Sequence, residues 1–471
     1  MSNSTNRRGE PPHIAILQSG LGQSNPFFRL AAMLASHNCT VTFIMITTQP
    51  TVSAAESTHI SSFFSSHPEI NRIDFDIPAF NTSSSTTNDP FIVHFEAINH
   101  SIHLLVPVLS SLPRPPSAIF SDFVVAAGLS QIIADLDIPH YIVSTTSARF
   151  FSTVAYLPVL ISETPSKFGD NSADVEIPGL DPLLVSSIPP TWLDDSPWNY
   201  LLRVYLIPNA QSLPKVKGVL INTFNWFEAE TIVALNKGMV LSNLPTVFPI
   251  GPLNPHELKK CLKIPWLDLQ CAESVVYVNC GSREPMPTDQ LIELGNALEI
   301  SGCTFLWILK GNKMQKVGND EELRELLGDT FIERTKNKGR ILKGWVNQEE
   351  ILAHPAIGGF VSQCEWDSVM EAARQGVPML AWPQHGDQKM NAEVMEKAGL
   401  GVWAKDWGWD GERLVKGEEI KEMVKQVMED VNLRGKAMKI REEARKAWEV
   451  GGSSEKELMG LIEMLIQKEG N

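Results

Sequence analysis

The sequence predicts an α/β protein made of two doubly wound, Rossmann-like parallel-sheet halves facing each other across a ligand cleft. Three observations predict it. Short, near-continuous apolar runs alternate with amphipathic segments through the first half of the chain. The same alternation restarts after a Pro and Gly cluster at residues 250–255. The 471 residues also exceed what one hydrophobic core usually organises.

Each element follows in order. HIAILQS (13–19) reads as a buried strand and NPFFRLAAMLASH (25–37) as the helix after it. TVTFIMIT (40–47), SAIFSDF (117–123) and HYIVSTT (140–146) read as further strands, each followed by helix-like sequence. Beyond the cluster near residue 250, SVVYVNCGS, TFLWILK, GRILKGW, IGGFVSQ and VPMLAWP repeat the pattern. The expected division is 1–250 for an acceptor-side domain, 251–445 for a nucleotide-side domain, and 446–471 for a terminal helix packing back on the first domain. Open parallel sheets bind ligands at the carboxyl ends of their strands, which puts a ligand between the halves.

Composition removes several classes of partner. A formal net charge of -15 argues against nucleic acid or an anionic membrane surface. The six cysteines are scattered with no C-x-x-C, so neither a disulfide framework nor a zinc site is expected. MSNSTNRRGEPPH lacks the apolar core of a signal peptide, and no apolar run of about 18 residues stands out as a membrane span. A cytoplasmic monomer without an integral membrane segment is the expectation.

The turn at residue 20 almost spells a dinucleotide fingerprint. Gly20-x-Gly22-x-x-Asn25 lacks the third glycine, and FIMITTQP carries no acidic residue at the end of the next strand. A nicotinamide oxidoreductase is therefore disfavoured, although the helix start near Asn25 and Pro26 still points at the cleft.

From Gly344 the chain reads GWVNQEEILAHPAIGGFVSQCEWDSVMEAARQGVPMLAWPQHGDQKMNAEVMEKAGLGVW. This resembles the signature of the plant secondary-product glycosyltransferases, the UDP-sugar-dependent family 1 enzymes with two Rossmann-like domains (the GT-B type). The match covers about 44 residues at the family spacing. The chemistry suits the residues. Trp345 offers a face for uracil, and base stacking on an aromatic ring is worth roughly 1–3 kcal/mol. Glu371 can accept both ribose hydroxyls. Ser368 and the amides near Trp366 open a helix that can hold a diphosphate, and Ser282 lies in a similar turn. Asp387 and Gln388 take sugar hydroxyls by family resemblance. Thr145 and Thr146 close the sugar side, and Val346, Gln348, Gln363, Trp366 and Asp367 complete the donor-side set.

The segments VNCGSREPM, NDPFIVHFEAINHSIHLL and AWPQHGDQKMNAEV look like the branch that attaches glucose to a ring carbon of 2-hydroxyflavanones and dihydrochalcones such as phloretin. Flavonoid O-glucosylation is the near competitor. UDP-glucose is then the co-substrate, with a small aromatic acceptor as partner and neither a further cofactor nor a metal implied.

The chain departs from the family at several positions. A histidine that deprotonates the acceptor normally follows the turn glycine, oriented by an aspartate. Asp122 sits where that aspartate belongs, but Gln23 occupies the histidine position. A carboxamide takes no proton near neutral pH, and losing a general base typically costs about 10²–10⁴-fold. The usual His-Cys-Gly-Trp-Asn-Ser becomes Gln363-Cys364-Glu365-Trp366-Asp367-Ser368, which adds two carboxylates beside a diphosphate. Such charges are unfavourable unless they point away, pair with a cation or bind a proton. Cys280 replaces the common phenylalanine of the first turn. Three accounts stay open: His94 acts as base with Phe95 beside it on the acceptor side, the substrate ionises itself, or the protein binds ligands without turnover.

Overall fold

The computed structural model describes residues 10–20, 24–47, 54–78, 89–163, 174–192, 197–255, 264–281, 286–309, 324, 327–344, 346–409 and 412–469. Among these residues the chain forms two wholly parallel sheets. The first contains β1 (His13–Gln18), β2 (Thr40–Thr47), β3 (Asn71–Asp76), β4 (Ala118–Asp122), β5 (His140–Ser144), β6 (Gly218–Ile221) and β7 (Thr246–Pro249). The second contains β8 (Val275–Asn279), β9 (Thr304–Leu309), β10 (Gly339–Lys343), β11 (Ile357–Ser362), β12 (Met379–Ala381) and β13 (Gly401–Trp403).

The strand orders are β3-β2-β1-β4-β5-β6-β7 and β10-β9-β8-β11-β12-β13. Each reverses at one place, between β1 and β4 and between β8 and β11. At such a switch point the connections leave on opposite faces, and a crevice opens at the carboxyl ends of the strands. Both crevices carry the residues discussed below.

Local sequence explains the strands. Every residue of β1 and β8 is buried, because helices cover both faces of a parallel sheet. Edge strand β3, NRIDFD, buries only Phe75 and lacks the apolar run that marks the others. Helix α1 (Ser24–Ser36) and helix α2 (Ala54–Ser66) follow β1 and β2, and Phe28 of α1 stacks on Phe63 of α2 with centroids 4.3 Å apart.

Helix α3 (Pro90–Ser101) starts where Asp89 accepts a hydrogen bond from the Phe91 amide at 2.8 Å, with Pro90 in the first turn. It continues into a 20-residue helical stretch, Phe91–Ser110, with a mean hydropathy of 1.3, long and apolar enough to cross a bilayer. This corrects the expectation that no such run exists. Half of the stretch is buried inside the fold, where Ile98, Ile102, Leu105 and Leu109 pack with Leu17 and Ile119 of the sheet.

The Ser453–Glu469 helix lays Leu458, Leu461, Ile462 and Leu465 into the cluster formed by β1, β2 and α1. Burying each of these side chains is worth about 1.5–3 kcal/mol. The two halves also meet directly. Trp366 Nε1 donates to the Asn222 carbonyl at 2.8 Å, and Lys389 Nζ donates to the Ser186 carbonyl at 3.1 Å.

Candidate functional site

The first crevice is built on the turn after β1. Gly20 has φ +74, and a Cβ there would stand 2.8 Å from the Ile46 carbonyl oxygen and 3.3 Å from His94 Nε2. Only glycine fits so tight a turn. Leu17 is in register with Ser121, so the ends of β1 and β4 bring Ser19 beside Asp122. Ser19 Oγ donates to Asp122 Oδ2 at 2.6 Å, and Asp122 Oδ1 accepts from the Val124 amide at 3.2 Å. His94 places Nε2 3.2 Å from the Ser19 carbonyl. A carbonyl only accepts, which assigns the proton of the neutral ring to Nε2.

Gln23 lies outside the described residues, as do Ser282 and Trp345. Phe95 corrects the expectation that it faces an acceptor. It is 1% exposed and packs against Tyr205 at 5.2 Å, because α3 turns one face to the cleft and the next to the core. Thr145 and Thr146 end β5 half-buried, with Thr146 Oγ1 3.1 Å from Ser144 Oγ.

The second crevice starts from the pairing of β8 with β11. Ser362 is in register with Asn279, which sets Gln363 against Gly281. Gly281 has φ +83, and a Cβ there would fall 2.0 Å from Gln363 Nε2, so the glycine makes room for the buried amide. Gln363 Nε2 donates to Glu365 Oε1 at 2.6 Å, giving one of the two added carboxylates a partner.

Gln348 is the hub of this crevice. Its Nε2 donates to Ser368 Oγ and to Glu371 Oε2, both at 2.8 Å. Its Oε1 accepts from Asn279 Nδ2 at 2.7 Å and from Tyr277 Oη at 3.3 Å. Four side chains, two from β8 and two from the Trp366–Gln375 helix, therefore converge on one carboxamide at the start of that helix. That helix start presents unpaired amides and the positive end of its dipole, an arrangement that attracts anions.

Arg29 of α1 completes the cluster from the opposite half. It is 4% exposed. Its Nη2 pairs with Glu349 Oε2 at 2.9 Å and with Glu371 Oε1, and its Nη1 pairs with Asp367 Oδ1 at 3.0 Å. Burial opposes the guanidinium charge, but Asp367, Glu349 and Glu371 together outweigh it and raise Arg29 above its ordinary value. For Asp367 burial dominates and the neighbouring carboxylates add to it. Despite Arg29, its acid is pushed up to about 7. The balance is thus unequal: for Arg29 its carboxylate partners outweigh burial, whereas for Asp367 burial and the neighbouring carboxylates outweigh the pull of Arg29. Burial likewise raises Glu349, which Arg374 Nε approaches at 3.5 Å. Burial, then the Arg29 charge, push His59 of α2 down to about 4.

Three expected donor residues, Trp366, Val346 and Gln388, take other places. Trp366 is 1% exposed and packs edge-on to Phe227, so its indole belongs to the contact between halves, and only its backbone faces the crevice. Val346 is buried in the core of the second half. Gln388 Oε1 accepts from the amides of Gln384 and His385 at 2.8 and 3.1 Å, holding the turn before its own helix. Asp387 Oδ2 accepts from Asn391 Nδ2 at 2.9 Å. The structure brings Gln348, Asp367, Ser368 and Glu371 together, with Gln363 at the adjoining turn.

Sequence reasoning missed Arg29, Asn279, Tyr277 and Ser19. Arg29 had a visible signal. A charged residue inside the apolar run NPFFRLAAML is buried on several sides and requires a partner.

A family model described as UDP-glucoronosyl and UDP-glucosyl transferase matches residues 239–443. The chain is 46% identical to UDP-glycosyltransferase 708C1 of Fagopyrum esculentum, covering 96% of this chain and 95% of that one. It is 41% identical to UDP-glycosyltransferase CGT of Oryza sativa subsp. japonica, with 96% of each covered. Among solved structures it is similar to LpCGTa in complex with UDP, with a TM-score of 0.84 and 40% identity. That match covers 97% of this chain and 99% of the other.

Proposed function

The chain belongs to the UDP-glycosyltransferase family, and from that premise we propose that it transfers glucose from UDP-glucose, with inversion, to a ring carbon of a phloroglucinol-type acceptor. A 2-hydroxyflavanone or a phloretin-like dihydrochalcone is the acceptor class, and the cytoplasm is the proposed setting. The observation that carries the reading is the convergence of Gln348, Ser368 and Glu371 at the start of the Trp366–Gln375 helix.

In this reading the helix start and Ser368 hold the diphosphate, Glu371 takes the ribose hydroxyls, and Trp345 stacks on uracil. Asp387 holds the sugar, with Thr145 and Thr146 across the cleft. An acceptor carbon ortho to phenolic oxygens attacks the anomeric carbon as the bond to the UDP oxygen breaks. The attacking ring carbon then gives up its proton and the ring regains aromaticity. The products are the C-glucoside, UDP and a proton. The helix start stabilises the negative charge developing on UDP.

Gln23 does not take the proton. A simple phenol has a pKa about 10, but an acyl-substituted phloroglucinol is more acidic and already nucleophilic at carbon. The substrate therefore ionises itself, with Gln23 positioning it. A second account has one specific observation in its favour: His94 sits at the same turn, with Nε2 3.2 Å from the Ser19 carbonyl.

Incubation with UDP-glucose and phloretin, followed by hot acid and mass spectrometry, tests the reading. A hexosylated product that survives acid supports C-glucosylation. A product that reverts to the aglycone moves the assignment to O-glucosylation. No product, with UDP still bound and Gln23→His restoring turnover, identifies a binder that lost its base.

A further inference from the structure

Arg29 belongs to α1, which packs on the first sheet, yet each carboxylate it meets belongs to the second half. Glu371 is held from two sides. Arg29 Nη2 occupies Oε1, and Gln348 Nε2 donates to Oε2 at 2.8 Å. A carboxylate offers about four lone-pair sites, so each oxygen keeps one. Two acceptors on a carboxylate that cannot rotate match the two O–H donors of a vicinal diol, and a fixed acceptor lowers the ordering cost of binding.

Charge points the same way. Glu349, Asp367 and Glu371 together would repel a diphosphate at the adjoining helix start. Arg29 and Arg374 leave the group with one net negative charge if every member is ionised.

We propose that Arg29 is a positioning residue for the donor ribose: reaching across the cleft from the acceptor-side half, it fixes the Glu371 carboxylate in the orientation that accepts the ribose diol. This rests on the reading of Glu371 as the ribose acceptor. It makes the acceptor-side half a contributor to donor recognition, through a residue 342 positions away in sequence.

Calorimetric titration of UDP and of 2′-deoxy-UDP tests the proposal on wild type, Arg29→Lys, Arg29→Gln and Glu371→Gln. Wild type is expected to prefer UDP by about tenfold or more, the worth of one hydrogen bond to a charged group. Arg29→Lys keeps a positive charge and hence the fold, but its ammonium lacks the planar fork that bonds Asp367 and Glu371 together. Its preference is expected to fall to within about threefold, with UDP still bound and the circular dichroism of wild type. Arg29→Gln should match it, and Glu371→Gln should lose the preference too.

A merely structural Arg29 would weaken both nucleotides equally. An undiminished preference in Arg29→Lys therefore overturns the role of Arg29 while leaving Glu371 as the ribose acceptor. A wild type that binds UDP without preferring it to 2′-deoxy-UDP overturns the ribose reading of Glu371, and this proposal with it. If Arg29→Gln fails to fold, Arg29→Lys decides alone.

Discussion

Asp367→Asn changes one half-buried charge at almost constant shape. The folded protein raises the Asp367 acid from 3.8 to about 7, through burial first and then Glu371, Glu349 and Glu365, against the opposing pull of Arg29. Because the folded value lies above the unfolded one, the folded state binds more protons between these limits. The stability from this group is complete below about pH 4 and is lost as pH rises through 7.

A shift of about three units corresponds to a ceiling of roughly 4 kcal/mol at pH 8. The side chain is 23% exposed and shares its cation with two other carboxylates, which screens the cost. We expect Asp367→Asn to stabilise the fold by about 1–2 kcal/mol at pH 8 and by clearly less at pH 5.5. Urea unfolding midpoints at the two pH values measure it. A loss of more than about 1 kcal/mol at pH 8 would refute the reasoning, because the Arg29–Asp367 pair would then outweigh the cost of burying the carboxylate.

Removing the cation instead of an anion should act with the opposite sign. Arg29→Met leaves Glu349, Asp367 and Glu371 without their shared partner, and a destabilisation of about 3–5 kcal/mol is expected in the same urea curves. At the β1 turn, Gly20→Ala forces a Cβ to 2.8 Å from the Ile46 carbonyl at φ +74; a loss of about 1–3 kcal/mol should follow, read as a lowered unfolding midpoint. His94→Gln separates the two accounts of the proton. Self-ionising acceptors predict kcat/KM within about tenfold of wild type, whereas a catalytic His94 predicts a fall of about 10²–10⁴-fold with loss of its inflection in the pH profile.

The strand and helix alternation was legible because a parallel sheet covered on both faces needs unbroken apolar strands, as in HIAILQ and VVYVN. Edge strand β3 escaped because one flank faces solvent and its sequence is NRIDFD. The stretch from Gly344 was legible for another reason: strand end, turn and helix start are contiguous there, so residues that meet in space are also near in sequence. The turn at Gly20 alone left a nicotinamide reading open; full-length likeness to UDP-glycosyltransferases closed it. Phe95 and Trp366 show the limit of the method, since periodicity places an aromatic on a helix without saying which neighbour covers it. Their burial against Tyr205 and Phe227 is a property of the assembled layers.

By itself, then, the sequence determined the α/β class, the two-sheet organisation and the family, since each is written in local periodicity or in one contiguous stretch. Tertiary structure alone decided that Asp367, an apparent charge error beside a diphosphate site, meets Arg29 from 338 residues earlier, and that the same guanidinium holds Glu371. The reason is physical. Burial forces a charge to find a partner, but only the packing of the two halves decides which one it finds.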